Sequence, residues 1–234
     1  MACFERVLSL AGVKSRRFMG SGMSKILDGV YIGNFYDSKE EKAQKENQVT
    51  HILAVHDNAK PLLADKVYLC IFASDNPQQC LSQYFEESID FIHKARQEGG
   101  GVLIHCLSGV SRSVTLTVAY IMTITSLSWR ESMNAIRGAR NCANPNYGFQ
   151  KQLREYEENG LEAARKRLKE KYPDYDNKKD EQRCQELLKC YQHYLAHGSH
   201  SDVAVWVYNL NEGKKTSEES KSCTDVAKTK SNET

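Results

Sequence analysis

The sequence predicts an α/β fold, a central mixed sheet flanked by helices, and three observations predict it. Short apolar runs of strand length alternate along the chain with longer segments of helical periodicity. Leu81 to Arg96 places Leu81, Phe85, Ile89 and Ile92 on one helical face. Val102-Leu103-Ile104, an apolar strand-like run, leads through a glycine-containing turn into a second apolar stretch, Val114 to Ile124, which is long enough for a packed helix.

Taken in order, strands are expected near Lys25 to Leu27, Val30 to Ile32, Thr50 to His56, Val67 to Phe72 and Gly101 to Cys106. Further amphipathic helices are expected at Ser128 to Arg137 and Gly148 to Asn159. Ser128-Trp129-Arg130-Glu131 has the Ser-x-x-Glu form of a capping box, which supplies two acceptors to the first free amides of a helix. Asn144-Pro145-Asn146 reads as punctuation before the next helix, with no chemical role. Tyr172 to Asn177 reads as a linker, Glu181 to Ala196 has helical composition, and the Lys, Ser, Thr and Glu content from Asn211 onward predicts a disordered C-terminal tail.

The chain of 234 residues, 40% hydrophobic and 26% charged, is large enough for one domain with extensions and too short for two ordinary ones. A net charge of +2 gives no case for nucleic acid as a partner. No apolar run reaches the roughly 18 residues needed to span a bilayer. The eight cysteines form no compact framework of the kind that staples small secreted domains.

The chemistry is concentrated in His105-Cys106-Leu107-Ser108-Gly109-Val110-Ser111-Arg112-Ser113. In a strand-to-helix turn the first helical amides lack internal acceptors, and with the helix dipole they favour an anion placed just ahead of them. The same field favours a thiolate, so Cys106 is expected to ionise below the range of a free cysteine, helped by Arg112. Gly109 permits the tight turn, and Leu107, Ser108, Val110 and Ser111 complete a nest of amides for a phosphate. Arg112 can hold two phosphoryl oxygens in a fork, which a lysine cannot. The expected reaction is hydrolysis of a phosphomonoester, with no cofactor and no metal. A catalytic thiolate requires a reducing compartment, hence cytosol or nucleus.

The nonapeptide matches H-C-x-x-G-x-x-R-[ST], and the chain therefore resembles the cysteine-based protein tyrosine and dual-specificity phosphatases. From about Met19 to Leu168 the order of elements is similar to that of the small atypical dual-specificity phosphatases. Ile26-Leu27-Asp28-Gly29-Val30-Tyr31-Ile32-Gly33-Asn34, Thr50-His51-Ile52-Leu53 and Ala143-Asn144-Pro145-Asn146 resemble their N-myristoylated subgroup. The resemblance implies a phosphocysteine intermediate on Cys106 and a general acid at Asp75, 31 positions upstream, on a loop able to swing over the turn. It also implies a Ser113 hydroxyl that assists departure of the sulfur, and a His105 that orients the loop. The implied partners are phosphorylated proteins of mitogen-activated and stress-kinase signalling, dephosphorylated at tyrosine and at serine or threonine.

This organisation divides the chain into an N-terminal extension at 1–22, a catalytic domain at 23–170, and a linker, helix and tail at 171–234. Met19-Gly20 opens a myristoylation-like motif, but Gly20 can be acylated only in a form that begins at Met19, and one such chain binds membrane only marginally. The same cysteine loop could serve a phosphoinositide or polynucleotide phosphatase, or a scaffold that binds phosphoproteins without turnover. The absence of lysines in its variable positions favours protein substrates over lipid, and the intact Cys106, Arg112 and Asp75 favour turnover. Cys184, Cys190, His193, His197 and His200 lack a regular ligand spacing and are read as binding no metal. The sequence sets no oligomeric state.

Overall fold

The computed structural model describes residues 22–197. Five strands, β1 (Ser24–Leu27), β2 (Val30–Gly33), β3 (Val49–Val55), β4 (Val67–Ile71) and β5 (Gly101–His105), form one sheet in the order β1-β2-β5-β3-β4. β1 and β2 are an antiparallel pair, and the other neighbours are parallel, so the sheet is mixed. Gly33 and Ala54 both pair with His105, and Val55 pairs with Ile71. Four carboxyl ends therefore converge at one edge, which is where open parallel sheets place their ligands.

The helices are α1 (Glu41–Glu46), α2 (Phe85–Gln97), α3 (Arg112–Ile124), α4 (Trp129–Ala139), α5 (Tyr147–Asn159), α6 (Leu161–Lys171) and α7 (Lys178–His197), with 3-10 turns at Asp37–Lys39 and Ser82–Tyr84. All residues of α3 are buried, as its nearly continuous apolar composition requires. Its threonines fit there because each hydroxyl bonds the carbonyl one turn back: Thr115 to Ser111, Thr117 to Ser113 and Thr123 to Ala119, at 2.8 to 2.9 Å. The capping box at Ser128 and Glu131 is present, with both reciprocal bonds made. On α2, the face carrying Phe85, Ile89 and Ile92 is fully packed, and the helix begins at Phe85 because Ser82–Tyr84 closes as a 3-10 turn.

The segment read as a linker is packed chain. Tyr172 and Tyr175 lie against the core, and α7 buries Cys184, Leu187 and Cys190. A methyl group on Gly138 of α4 would stand 2.0 Å from the Leu187 carbonyl oxygen, so glycine lets the two helices approach backbone to backbone. Asp180 at the start of α7 is buried and paired with Arg96 of α2 through two bonds of 2.8 and 2.9 Å. Arg96 also donates to the Tyr120 hydroxyl of α3 at 2.8 Å, and Tyr175 donates to Asp180. The boundary near residue 170 therefore falls inside the packed unit, because composition does not reveal which polar residues will pair across it.

Burial pushes the Cys184 thiol up to about 12, with the nearby Asp180 and Glu181 carboxylates adding to it. His193 and His197, both exposed, stack on each other with ring centres 4.2 Å apart, whereas Cys190 is buried. Among the described residues no group of three His, Cys, Asp or Glu could hold a metal ion, and no helix is long and apolar enough to cross a membrane. His200, Gly20 and the tail from Asn211 lie outside the described residues.

Candidate active site

Between β5 and α3 the chain turns through Cys106 to Ser111 at the convergent edge of the sheet. The carbonyls of this loop are bonded outward. Leu107 accepts from the Phe35 amide at 3.2 Å, Gly109 from Arg140 Nε at 2.7 Å and Val110 from the Asn144 amide at 2.8 Å. With the oxygens held outside, the amides face the concave side, and the Gly109 amide lies 3.2 Å from Cys106 Sγ. Gly109 has φ +67°, and a Cβ there would come within 2.5 Å of both Arg140 Nη2 and the Gly33 carbonyl oxygen. Both the turn and the packing behind it require glycine.

Cys106 is fully buried, with Ser113 Oγ 3.3 Å from its sulfur. Burial opposes the charged form, but the Ser113 hydroxyl and amide, the Arg112 guanidinium and the Val110 amide together outweigh it and hold the thiol below its ordinary range. His105 is buried, and its pKa is pushed down to about 4 by desolvation, so it is neutral at pH 7. Its Nδ1 lies 3.3 Å from the Cys106 carbonyl oxygen, which can only accept, so the proton sits on Nδ1 and the ring steadies the loop without charge.

Arg112, 3% exposed, is tethered through one nitrogen, with Nη1 donating to Asp57 Oδ2 at 3.0 Å and to the Ala73 carbonyl at 2.9 Å. Its Nε is buried with no hydrogen-bond partner. A buried guanidinium donor left open beside an anionic sulfur is a strong site for an incoming oxyanion, because an unsatisfied donor costs roughly 1–3 kcal/mol until it is paired.

Asp75 lies beside the loop. Its Oδ1 accepts from Ser111 Oγ at 2.7 Å and from Asn146 Nδ2 at 2.8 Å, and its Oδ2 is 3.8 Å from Arg112 Nε. The loop expected to swing is thus tethered over the turn. Cys106, Arg112, Asp75 and Ser113 are brought together with Gly109 and Ser111. Leu107, Ser108 and Val110 occupy the half-buried part of the turn.

Three contributors escaped the sequence reading. Asn146 both caps α5, accepting from the Phe149 amide at 3.0 Å, and holds Asp75, so the Asn-Pro-Asn stretch is more than punctuation. Asp57 anchors Arg112 from the end of β3 and accepts from Ser74; that hydroxyl first, and then Arg112, hold its carboxyl below the usual range despite some desolvation. Arg140 is buried and joins the turn to the Gly22 carbonyl and Ser24 at 3.0 and 3.1 Å. The available signal was position, since Asp57 and Asp75 each follow a parallel strand at its carboxyl end.

Comparison with known proteins places this arrangement in a wider set. The family described as the dual specificity phosphatase catalytic domain matches residues 30–159. Dual specificity protein phosphatase 22 of Homo sapiens is 53% identical over 154 residues, covering 66% of this chain and 84% of that protein. Dual specificity protein phosphatase 15 of Mus musculus is 44% identical, covering 66% of each. The crystal structure of DUSP15 superposes with a TM-score of 0.63 and 41% identity over 68% of this chain and 99% of that one. The family match over more than half of the sequence, on a mixed sheet with this cysteine loop at its edge, makes the chain a member of the dual-specificity protein phosphatases, atypical in type.

Proposed function

We propose that the protein removes phosphate from phosphotyrosine and from phosphoserine or phosphothreonine of signalling proteins through a phosphocysteine intermediate. The observation that carries the reading is the convergence on one sulfur of an amide, a hydroxyl and the charge of a guanidinium whose Nε has no hydrogen-bond partner. Phosphate binds in the turn, with its oxygens on the loop amides and on Arg112. The Cys106 thiolate attacks phosphorus, the S–P bond forms and the ester O–P bond breaks. Asp75 in its protonated form gives its proton to the departing oxygen. As a carboxylate it then takes a proton from water, whose oxygen attacks the phosphocysteine, and the S–P bond breaks to return the thiolate. Ser113 Oγ donates to the sulfur as that charge reappears.

As substrates we propose proteins of mitogen-activated and stress-kinase signalling, encountered in cytosol or nucleus, a reading supported by resemblance and by the thiolate's need for reducing surroundings. The experiment is turnover of a phosphopeptide panel with a phosphoinositide control, alongside Cys106→Ser. Hydrolysis of the peptides by the wild type, and binding without turnover by the variant, are expected. Equal turnover by both proteins would refute the mechanism.

A further inference from the structure

α7 lies beyond residue 159, where the matched family domain ends, and the mechanism above gives it no part. It is nevertheless fixed at its start, middle and end. At its start Asp180 pairs with Arg96, and the Glu181 carboxylate accepts from the Ser126 amide and hydroxyl at 2.9 and 2.6 Å, just ahead of α4. In its middle the Leu187 backbone rests against Gly138 of α4. Near its end the Arg137 guanidinium stands over the Tyr191 ring, with Cζ 5.9 Å from the ring centre. Arg137 and Gly138 belong to the last turn of α4, from which the chain enters the segment behind the cysteine loop. Arg137 Nε donates to the Ala143 carbonyl at 3.0 Å, and the next residue, Asn144, donates its amide to the Val110 carbonyl at 2.8 Å. The buried Arg140 gives its Nε to the Gly109 carbonyl at 2.7 Å. These outward bonds leave the Gly109 and Val110 amides facing the sulfur. Arg137 thus has α7 on one side and the back of the anion loop on the other.

We propose that Tyr191 is a positioning residue for the cysteine loop: α7 is an internal brace whose Tyr191 ring holds Arg137 and, through Ala143 and Asn144, the amides that receive the phosphate. The inference rests on the cysteine-loop reading above and adds the element that keeps the loop in its binding shape. An arginine side chain is long and rich in rotamers, so its bond to a carbonyl competes with its own freedom. The aromatic face removes that freedom before an anion arrives, and the Asn134 Oδ1 acceptor, 3.2 Å from Nη1, fixes the other end of the guanidinium. With Ala143 held, the Asn144 amide stays on the Val110 carbonyl. Once that bond is lost, the peptide carrying the Val110 carbonyl is free to turn, and the nest of amides loses its fixed direction.

The test titrates the full chain with tungstate, a tetrahedral oxyanion like phosphate, by calorimetry, with phosphopeptide kinetics and a thermal melt on the same preparations. Tyr191→Ala is expected to weaken tungstate binding about two- to fivefold and to raise KM alike, with kcat changed less, as the strength of a cation over an aromatic face implies. Tyr191→Phe keeps the ring and should bind as wild type does. Arg137→Met cuts the relay from the α4 side and should weaken tungstate at least as much, and Tyr191→Ala added to it should cost nothing further. Leu195→Ala, an exposed change near the same end of α7, should leave binding unchanged. The brace is overturned by a Tyr191→Ala protein that melts lower but binds tungstate as wild type does, by a loss in Tyr191→Phe or Leu195→Ala equal to that in Tyr191→Ala, or by additive losses in the double variant. If Tyr191→Ala does not fold, Arg137→Met decides alone: weakened binding supports the brace, and unchanged binding overturns it. Wild type that binds no tungstate overturns the cysteine-loop reading and the brace together, whereas wild-type binding that the variants leave intact overturns the brace alone.

Discussion

Ser111 Oγ donates a 2.7 Å hydrogen bond to Asp75 Oδ1, tying the proposed acid to the turn that carries the proposed nucleophile. Ser111 is also the residue from which α3 starts, so the sulfur, the arginine and the carboxyl are referenced to a single helix end. Asn146 supplies the second donor to the same carboxyl oxygen. An aspartate held in this way is in place before substrate arrives, which reduces the ordering needed at the moment of reaction.

Asp75→Asn should lower kcat by about 10²- to 10⁴-fold on substrates with basic leaving groups, and less on an aryl phosphate whose phenoxide leaves readily. Asn146→Asp keeps an N-cap oxygen for α5 but sets a second carboxylate against Asp75. It should retain thermal stability and show the same leaving-group dependence in milder form. Steady-state kinetics across a series of aryl phosphates tests both.

Asp57→Asn removes the charged partner from Arg112 while leaving a polar side chain. The Asp57 side chain is 55% exposed, so solvent screens the pair, and the expected effect is a rise in KM of about three- to tenfold with little change in melting temperature. An unchanged KM for phosphopeptide would show that the Ala73 carbonyl and Asp75 position the guanidinium without Asp57.

Gly109→Ala forces a side chain into a left-handed backbone and against the Gly33 carbonyl and Arg140. A loss of about 1–3 kcal/mol of stability is expected from the backbone strain alone, together with loss of turnover as the amides splay. Urea unfolding and phosphopeptide kinetics on the same preparation check the two effects.

Asp180→Asn leaves Arg96 buried without its carboxylate, and breaking such a pair costs about 3–5 kcal/mol. The measured unfolding free energy should fall by that order. Truncation before Lys178 should fall similarly and expose the face of α4 that α7 covers.

Acid should destabilise the fold through His93. Burial first, and then the Arg96 charge, push its pKa down to about 4 from 6.5. The unfolded chain then binds the extra proton between those values, so stability falls as pH drops from 6.5 towards 4, by at most about 1.4 kcal/mol per pH unit. Above 6.5 the ring is neutral in both states and contributes no slope. His93→Gln should remove this share of the slope in urea titrations at successive pH values.

The cysteine loop was legible in the sequence because its chemistry is local. An apolar strand, a turn with glycine in its third position after the cysteine, and an apolar helix follow one another without interruption, and helix-end electrostatics do the rest. The capping box at Ser128 was legible for the same reason, since both of its bonds lie within one helical turn. Strands near residues 25, 30, 50, 67 and 101 declared themselves by apolar runs, although the antiparallel placement of β1 and the order β1-β2-β5-β3-β4 did not.

What the sequence determined by itself, then, was the α/β class, the cysteine loop with its arginine, and the motif through which the family is recognised. Tertiary structure decided that Asn146 and Ser111 share Asp75, that Asp57 anchors Arg112 across the sheet, and that α7 is docked through Arg96 and Asp180. The difference has a physical basis. Propensity, capping and turn geometry act within a few residues, whereas these bonds join groups 36 to 84 positions apart, and only the order of the strands and the packing of the helices bring them within reach.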